Sequence, residues 1–65
     1  MHYFNSTAIH AAIYDAASMT LTIWFTSSGG GYDYYNVPQH IWHGLTTASS
    51  AGGYFNHFIR DQYAA

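Results

Sequence analysis

YDYYNVPQHIWHGLTTASSAGGYFNHFIRDQY, residues 32–63, opens on an aromatic strand and passes into two helices, the first started by a proline and the second by serine and glycine. Residues 32–36 are tyrosine-rich and of strand length. Pro38 suits the first turn of a helix, because its φ is fixed and the N–H it lacks would have no intrahelical acceptor there. Ile41, Trp42, Leu45 and Ala48 then recur at helical spacing. Ser49 and Ser50 are candidate N-caps of the second helix, whose inward stripe reads Phe55, Phe58, Ile59 and Tyr63.

Working back toward the N-terminus, residues 19–26 (MTLTIWFT) alternate, with Leu21, Ile23 and Phe25 on one face and Thr20, Thr22, Trp24 and Thr26 on the other. Residues 8–14 alternate as well, placing Ile9, Ala11 and Ile13 opposite His10, Ala12 and Tyr14. DAAS at 15–18 turns the first run into the second, and a flexible glycine-rich turn at 27–31 leads into the third. These patterns predict an α+β domain over residues 1–65: a three-stranded antiparallel β-meander followed by two C-terminal α-helices, with the helices on one face of the sheet. The opposite face is then expected to carry Tyr14, Trp24 and one alternating set of the third strand, either Tyr32 with Tyr34 or Asp33 with Tyr35.

Composition narrows the function. The chain has 65 residues, with two Trp, seven Tyr and four Phe, but only one Arg and three Asp as formal charges, for a net charge of -2. A domain of this size buries only about 60% of its unfolded surface, and the absence of cysteine removes disulfides and thiolate metal sites. Charged residues make up 6% of the chain, against about 25% in an ordinary domain. Apolar surface of that extent favours a homo-oligomer. One arginine is too little for a grip on duplex DNA, where affinity follows the number of phosphates neutralised. No apolar run approaches the roughly 20 residues of a membrane span, and residues 1–10 lack the basic start and apolar stretch of a secretory signal, so the expected compartment is the cytoplasm.

The residues resemble the KTSC domain, a small family named for a module at the C-terminus of some lysyl-tRNA synthetases and also found as free-standing bacterial and phage proteins. The resemblance runs through Ser6 to Ile9, Tyr14-Asp15, Leu21 to Phe25, Tyr32-x-Tyr34, Val37-Pro38, Leu45, Ala48, Ser50-x-Gly52, Tyr54-Phe55-Asn56, Ile59-Arg60 and Tyr63. It implies one small α+β domain, for which RNA binding is the suggested activity. Where family members are often basic, this sequence has Ala51, His57 and Gln62 and keeps Arg60 as its cation.

Several residues are candidates for binding. At Ser50, Gly52 and Gly53 a helix start offers free N–H groups and a positive dipole end to an anion, while the plain alternative is an ordinary N-cap. Arg60 presents a planar fork suited to phosphate, with a salt bridge as its alternative. Trp24, Tyr32, Tyr34 and Tyr54, with Tyr35 beside them, offer rings on which a base could stack, or else serve as packing. His40 and His43 are three apart on one helical turn, but neither Glu nor Cys exists to complete a metal set. Ser49, Ser50, His57 and Asp61 match no catalytic spacing with a mechanism, so neither a catalytic residue nor a cofactor is expected.

The leading expectation is a non-catalytic, homo-oligomeric binding protein that holds a nucleotide-type ligand in aromatic pockets at subunit boundaries and sequesters a nucleotide signal. Ser50, Gly52, Gly53 and Arg60 would hold the phosphates. The alternatives are RNA binding, as the resemblance implies, and a protein-interaction module acting on a host enzyme.

Overall fold

The computed structural model describes residues 1–27 and 29–63. Its elements run β1 (His2–Tyr3), β2 (Ile9–Asp15), β3 (Thr20–Phe25), β4 (Gly31–Tyr34), α1 (Gln39–Thr47) and α2 (Ala51–Phe58). The α+β class and the order of sheet before helices are as the sequence predicts. The sheet, however, has four antiparallel strands in the order β1-β2-β3-β4 rather than three. The extra strand is only two residues long, pairing His2 with Ala12 and Tyr3 with Ala11, too short to show any alternation.

A second correction concerns β2. Ile9 pairs with Phe25 and Ala11 with Trp24, so His10 is an extra residue on one side of the ladder, a β-bulge. The bulge reverses the alternation beyond it. Ile9 before it and Ala12 after it both face the helices and are fully buried, whereas Ile13 turns to the opposite face and is 44% exposed. Tyr14, expected on that opposite face, instead sits on the helix side. Its ring stacks on Trp42 of α1, with centroids 5.8 Å apart and planes 14° from parallel, and its hydroxyl donates to the Val37 carbonyl at 2.6 Å.

The register of β4 decides which of its faces looks inward. Leu21 pairs with Tyr34 and Ile23 with Tyr32, so both tyrosines share the face of the buried leucine and isoleucine. Asp33 pairs with Thr22 on the outer face, where the threonine hydroxyl donates to Asp33 Oδ1 at 2.6 Å. The strand stops at Tyr34 rather than at Asn36. Asn36 adopts φ +59°, a left-handed conformation that asparagine tolerates, and Val37 N–H then returns to the Met19 carbonyl at 2.9 Å. The expected turn at 27–31 includes Ser28, which lies outside the described residues.

The β2-β3 hairpin is closed by DAAS as the sequence predicts, with Ala17 N–H bonded to Asp15 Oδ1 at 3.1 Å. Pro38 is the N-cap of α1 rather than its first helical residue. Ile9, Leu21, Ile23, Val37, Leu45 and Ile59 are the largest fully buried side chains. Phe55 of α2 lies edge-on to Phe25 at 5.2 Å and to Tyr34 at 5.6 Å, joining helix to sheet at the middle of the core. Phe58, read as inward-facing, is 50% exposed and packs beside Tyr54, at a centroid distance of 4.7 Å.

Candidate functional site

The start of α2 forms as its sequence requires. Ser50 is the N-cap, with its Oγ accepting from Gly53 N–H at 3.1 Å, and Tyr54 N–H bonds to the Ser50 carbonyl at 2.9 Å. The cap reading of Ser50 is therefore observed. At the first helical positions the N–H groups of Ala51 and Gly52 have no intrahelical acceptor. Gly52 lies against the residue just before β2: a β-carbon there would stand 3.1 Å from Ala8 Cβ, tighter than ordinary contact.

In front of this helix start lies a groove of about 450 Å³ between two lips. One lip is the N-terminal segment with Asn5, Ser6 and Thr7, and the other is the α1-α2 junction with Thr46, Ser49 and Ser50. The first lip is held by its own hydrogen bonds. Ser6 Oγ accepts from Ala8 N–H at 3.1 Å and from Ile9 N–H at 3.3 Å, and the Thr26 hydroxyl donates to the Thr7 carbonyl at 2.6 Å. The lining is made of hydroxyls, an amide and the rings of His2, Tyr3 and Phe4, with no carboxylate. Ser6, Thr7 and Thr46 were not singled out from the sequence. The available signal was the Asn-Ser-Thr run just before a strand, which reads equally well as a turn.

The other sequence-derived candidates do not gather at this groove. Gly53 has its N–H committed to the cap, and Gly52 borders a separate hollow of about 340 Å³ on the Phe25 side. Trp24 belongs to the outer face of the sheet, where its indole lies over Gly31. A β-carbon on Gly31 would come within 2.9 Å of Trp24 Cε2 and Nε1. Tyr32 and Tyr34 face the helices; Tyr34 is 7% exposed and Tyr32 47%. Tyr54 lies across Gly44 of α1. Arg60 follows α2 at its far end, and the eight residues of that helix put roughly 12 Å of helical rise between it and Ser50.

Electrostatics mark two of the tyrosines. Burial pushes the Tyr34 hydroxyl above its ordinary pKa, the neighbouring Tyr32 adds to the rise, and Arg60 pulls it partly back. Burial also raises Tyr54, with a smaller contribution from Tyr63. Arg60 is exposed and makes no ion pair among the described residues, not even with its neighbour Asp61. No group of three or more His, Cys, Asp or Glu among the described residues is arranged to hold a metal ion. No helix among them is long and apolar enough to cross a membrane.

Known proteins bear on the same chain. A crystal structure of a KTSC domain protein from Yersinia pestis superposes with a TM-score of 0.91 at 27% identity, covering 97% of this chain and 87% of that one. A protein from Tsukamurella paurometabola is 37% identical over 65 residues, all of this chain and 96% of its own length. A lysine–tRNA ligase from Nostoc sp. is 40% identical over 55 residues; the match takes in 85% of this chain but 10% of the ligase. The model of the KTSC domain matches residues 5–63, so this chain belongs to the KTSC domain family.

Proposed function

We propose that this domain is a non-catalytic binding protein, working as a homo-oligomer, and that its ligand is small, phosphate-bearing and of nucleotide type. The observation that carries the reading is the groove beside the start of α2. Its volume of about 450 Å³ lies within the roughly 300–1,000 Å³ of small-molecule sites, and its lining of hydroxyls and rings contains no carboxylate to repel an anion. The Ala51 N–H and the positive end of the helix favour a phosphate there. The serine and threonine hydroxyls of the two lips supply further donors, and Phe4 and Tyr3 supply ring faces for a base. Arg60 stands at the other end of α2, so this arrangement holds the phosphate with neutral donors alone. Binding without turnover suits sequestration of a nucleotide signal.

Ser50→Asp tests the assignment, because aspartate is as good an N-cap as serine but sets a carboxylate where the phosphate would lie. Isothermal titration of a panel of nucleotides, mononucleotides and cyclic forms included, should show binding by the parent protein. Binding should be lost in the variant while its melting temperature stays within about 2 °C. A panel with no binder, or an aspartate variant that binds as well as the parent, would refute the reading.

The match to part of a lysine–tRNA ligase supports a second reading, affinity for single-stranded RNA. That affinity would fall with salt by a log–log slope of about -0.7 for each phosphate neutralised. A flat response between 50 and 200 mM salt excludes it.

A further inference from the structure

The sheet has one face under the helices and one face bare. On the bare face Ile13, Thr20, Thr22 and Tyr35 line a hollow of about 630 Å³ whose polar rim holds Asp15 and Asp33. Two of the three acidic residues of the chain thus stand in one hollow, and no lysine or arginine shares their face. The one arginine is on the opposite side of the molecule: Arg60 follows α2 in the helix layer, near enough to Tyr34 to lower its pKa. It is exposed and makes no ion pair among the described residues. Within one chain no ion pair among the described residues joins the cation to these two carboxylates.

We infer that the bare sheet face is a docking surface for a second copy of this chain, joined head to tail, with Arg60 of one copy entering the hollow between Asp15 and Asp33 of the next. This rests on the homo-oligomeric part of the proposed function and gives it a geometry. Charge complementarity selects the occupant and the orientation. A face-to-face pairing of two sheets would bring four carboxylates together around the two-fold axis with no lysine or arginine to offset them, and such like-charge contact is unfavourable. Head-to-tail pairing sets the lone cation on the acids instead. The guanidinium forms strong paired bonds to carboxylate, and the exposed ring of Tyr35 at the hollow offers a face to its plane.

A standard contact takes about 800 Å² from each partner, about a fifth of the 4049 Å² that one chain exposes. Arginine and tryptophan or tyrosine are also the residues most often found at the energetic centre of such contacts. A contact between unlike surfaces repeats until it closes, so the product is a ring, or a filament where the rotation does not close.

The test uses the full chain in three forms: the parent, Arg60→Asp and Asp33→Arg, each measured by light scattering after size exclusion at about 100 µM, with circular dichroism as the check on folding. The parent should be an oligomer. Each variant alone should dissociate, with association weakened about tenfold or more, because an attraction becomes a repulsion. Mixed in equal amounts, the two variants should reassemble, since every contact then has one cation and one carboxylate to form it. A parent that is a monomer at that concentration overturns the oligomer reading together with this one. A parent oligomer that Arg60→Asp leaves intact, or variants that fail to restore assembly when mixed, overturns the head-to-tail geometry alone.

Discussion

The ring of Tyr54 in α2 occupies the space that a side chain on Gly44 of α1 would need, so the two helices approach only because residue 44 has no β-carbon. Replacing an interior helical glycine by alanine ordinarily adds about 1 kcal/mol through backbone propensity. Here the methyl would overlap the phenol, and overpacking of that kind costs about 1–3 kcal/mol. Gly44→Ala is therefore expected to lower stability by up to about 2 kcal/mol net, read from the urea midpoint. In the Tyr54→Ala background the sign should reverse, and the same glycine change should stabilise.

A second contact ties sheet, linker and helix together. The Tyr14 hydroxyl donates to the carbonyl of Val37, a residue with no exposed surface, while the Tyr14 ring stacks on Trp42. Tyr14→Phe keeps the ring contact but strips the carbonyl of its donor. A buried acceptor left without a partner costs about 1–3 kcal/mol. Tyr14→Phe should accordingly lower the unfolding free energy by about 1 kcal/mol or more in urea titration, with an unchanged far-ultraviolet spectrum.

Much of this architecture was legible because single signals were unopposed. Leu21, Ile23 and Phe25 alternate with threonines, and no rival pattern exists in that run. Ser50 is followed by a helix and caps it. Other features were hidden for physical reasons. The bulge at His10 leaves no mark in a run of small residues such as Ala11 and Ala12, yet it exchanges the faces of Ile13 and Tyr14. In β4 both alternating sets contain tyrosine, so only pairing with Leu21 and Ile23 settles which set is inside. The groove was half legible: Ser50 announces one lip, while Ser6 and Thr7 of the other reach it through chain folding that no local pattern encodes.

The two serines before α2 make a matched pair for testing that legibility. Ser50 accepts from Gly53 N–H, and Ser49, one residue earlier, makes no such bond. Loss of an N-cap side chain costs about 1 kcal/mol, within a range of about 0.5–2. Ser50→Ala should show that loss in chemical denaturation, whereas Ser49→Ala should stay within about 0.5 kcal/mol of the parent, as exposed positions without such a role do.

Alkaline pH gives a prediction whose sign is fixed by burial. The Tyr34 hydroxyl titrates above its ordinary value of 10.0 in the folded chain, chiefly because burial disfavours the phenolate. The folded protein therefore holds this proton more tightly than the unfolded chain does. The stability it contributes is fully present below pH 10 and is lost as pH rises through the higher folded value. Tyr34→Phe removes the proton and should lessen the fall in urea midpoint between pH 8 and pH 11, although Tyr54, raised by burial too, keeps part of it. Arg60 acts in the opposite direction on Tyr34, so Arg60→Gln raises the folded pKa further and should deepen the same fall. Parallel pH dependence in the parent and both variants would refute the assignment of the alkaline loss to Tyr34.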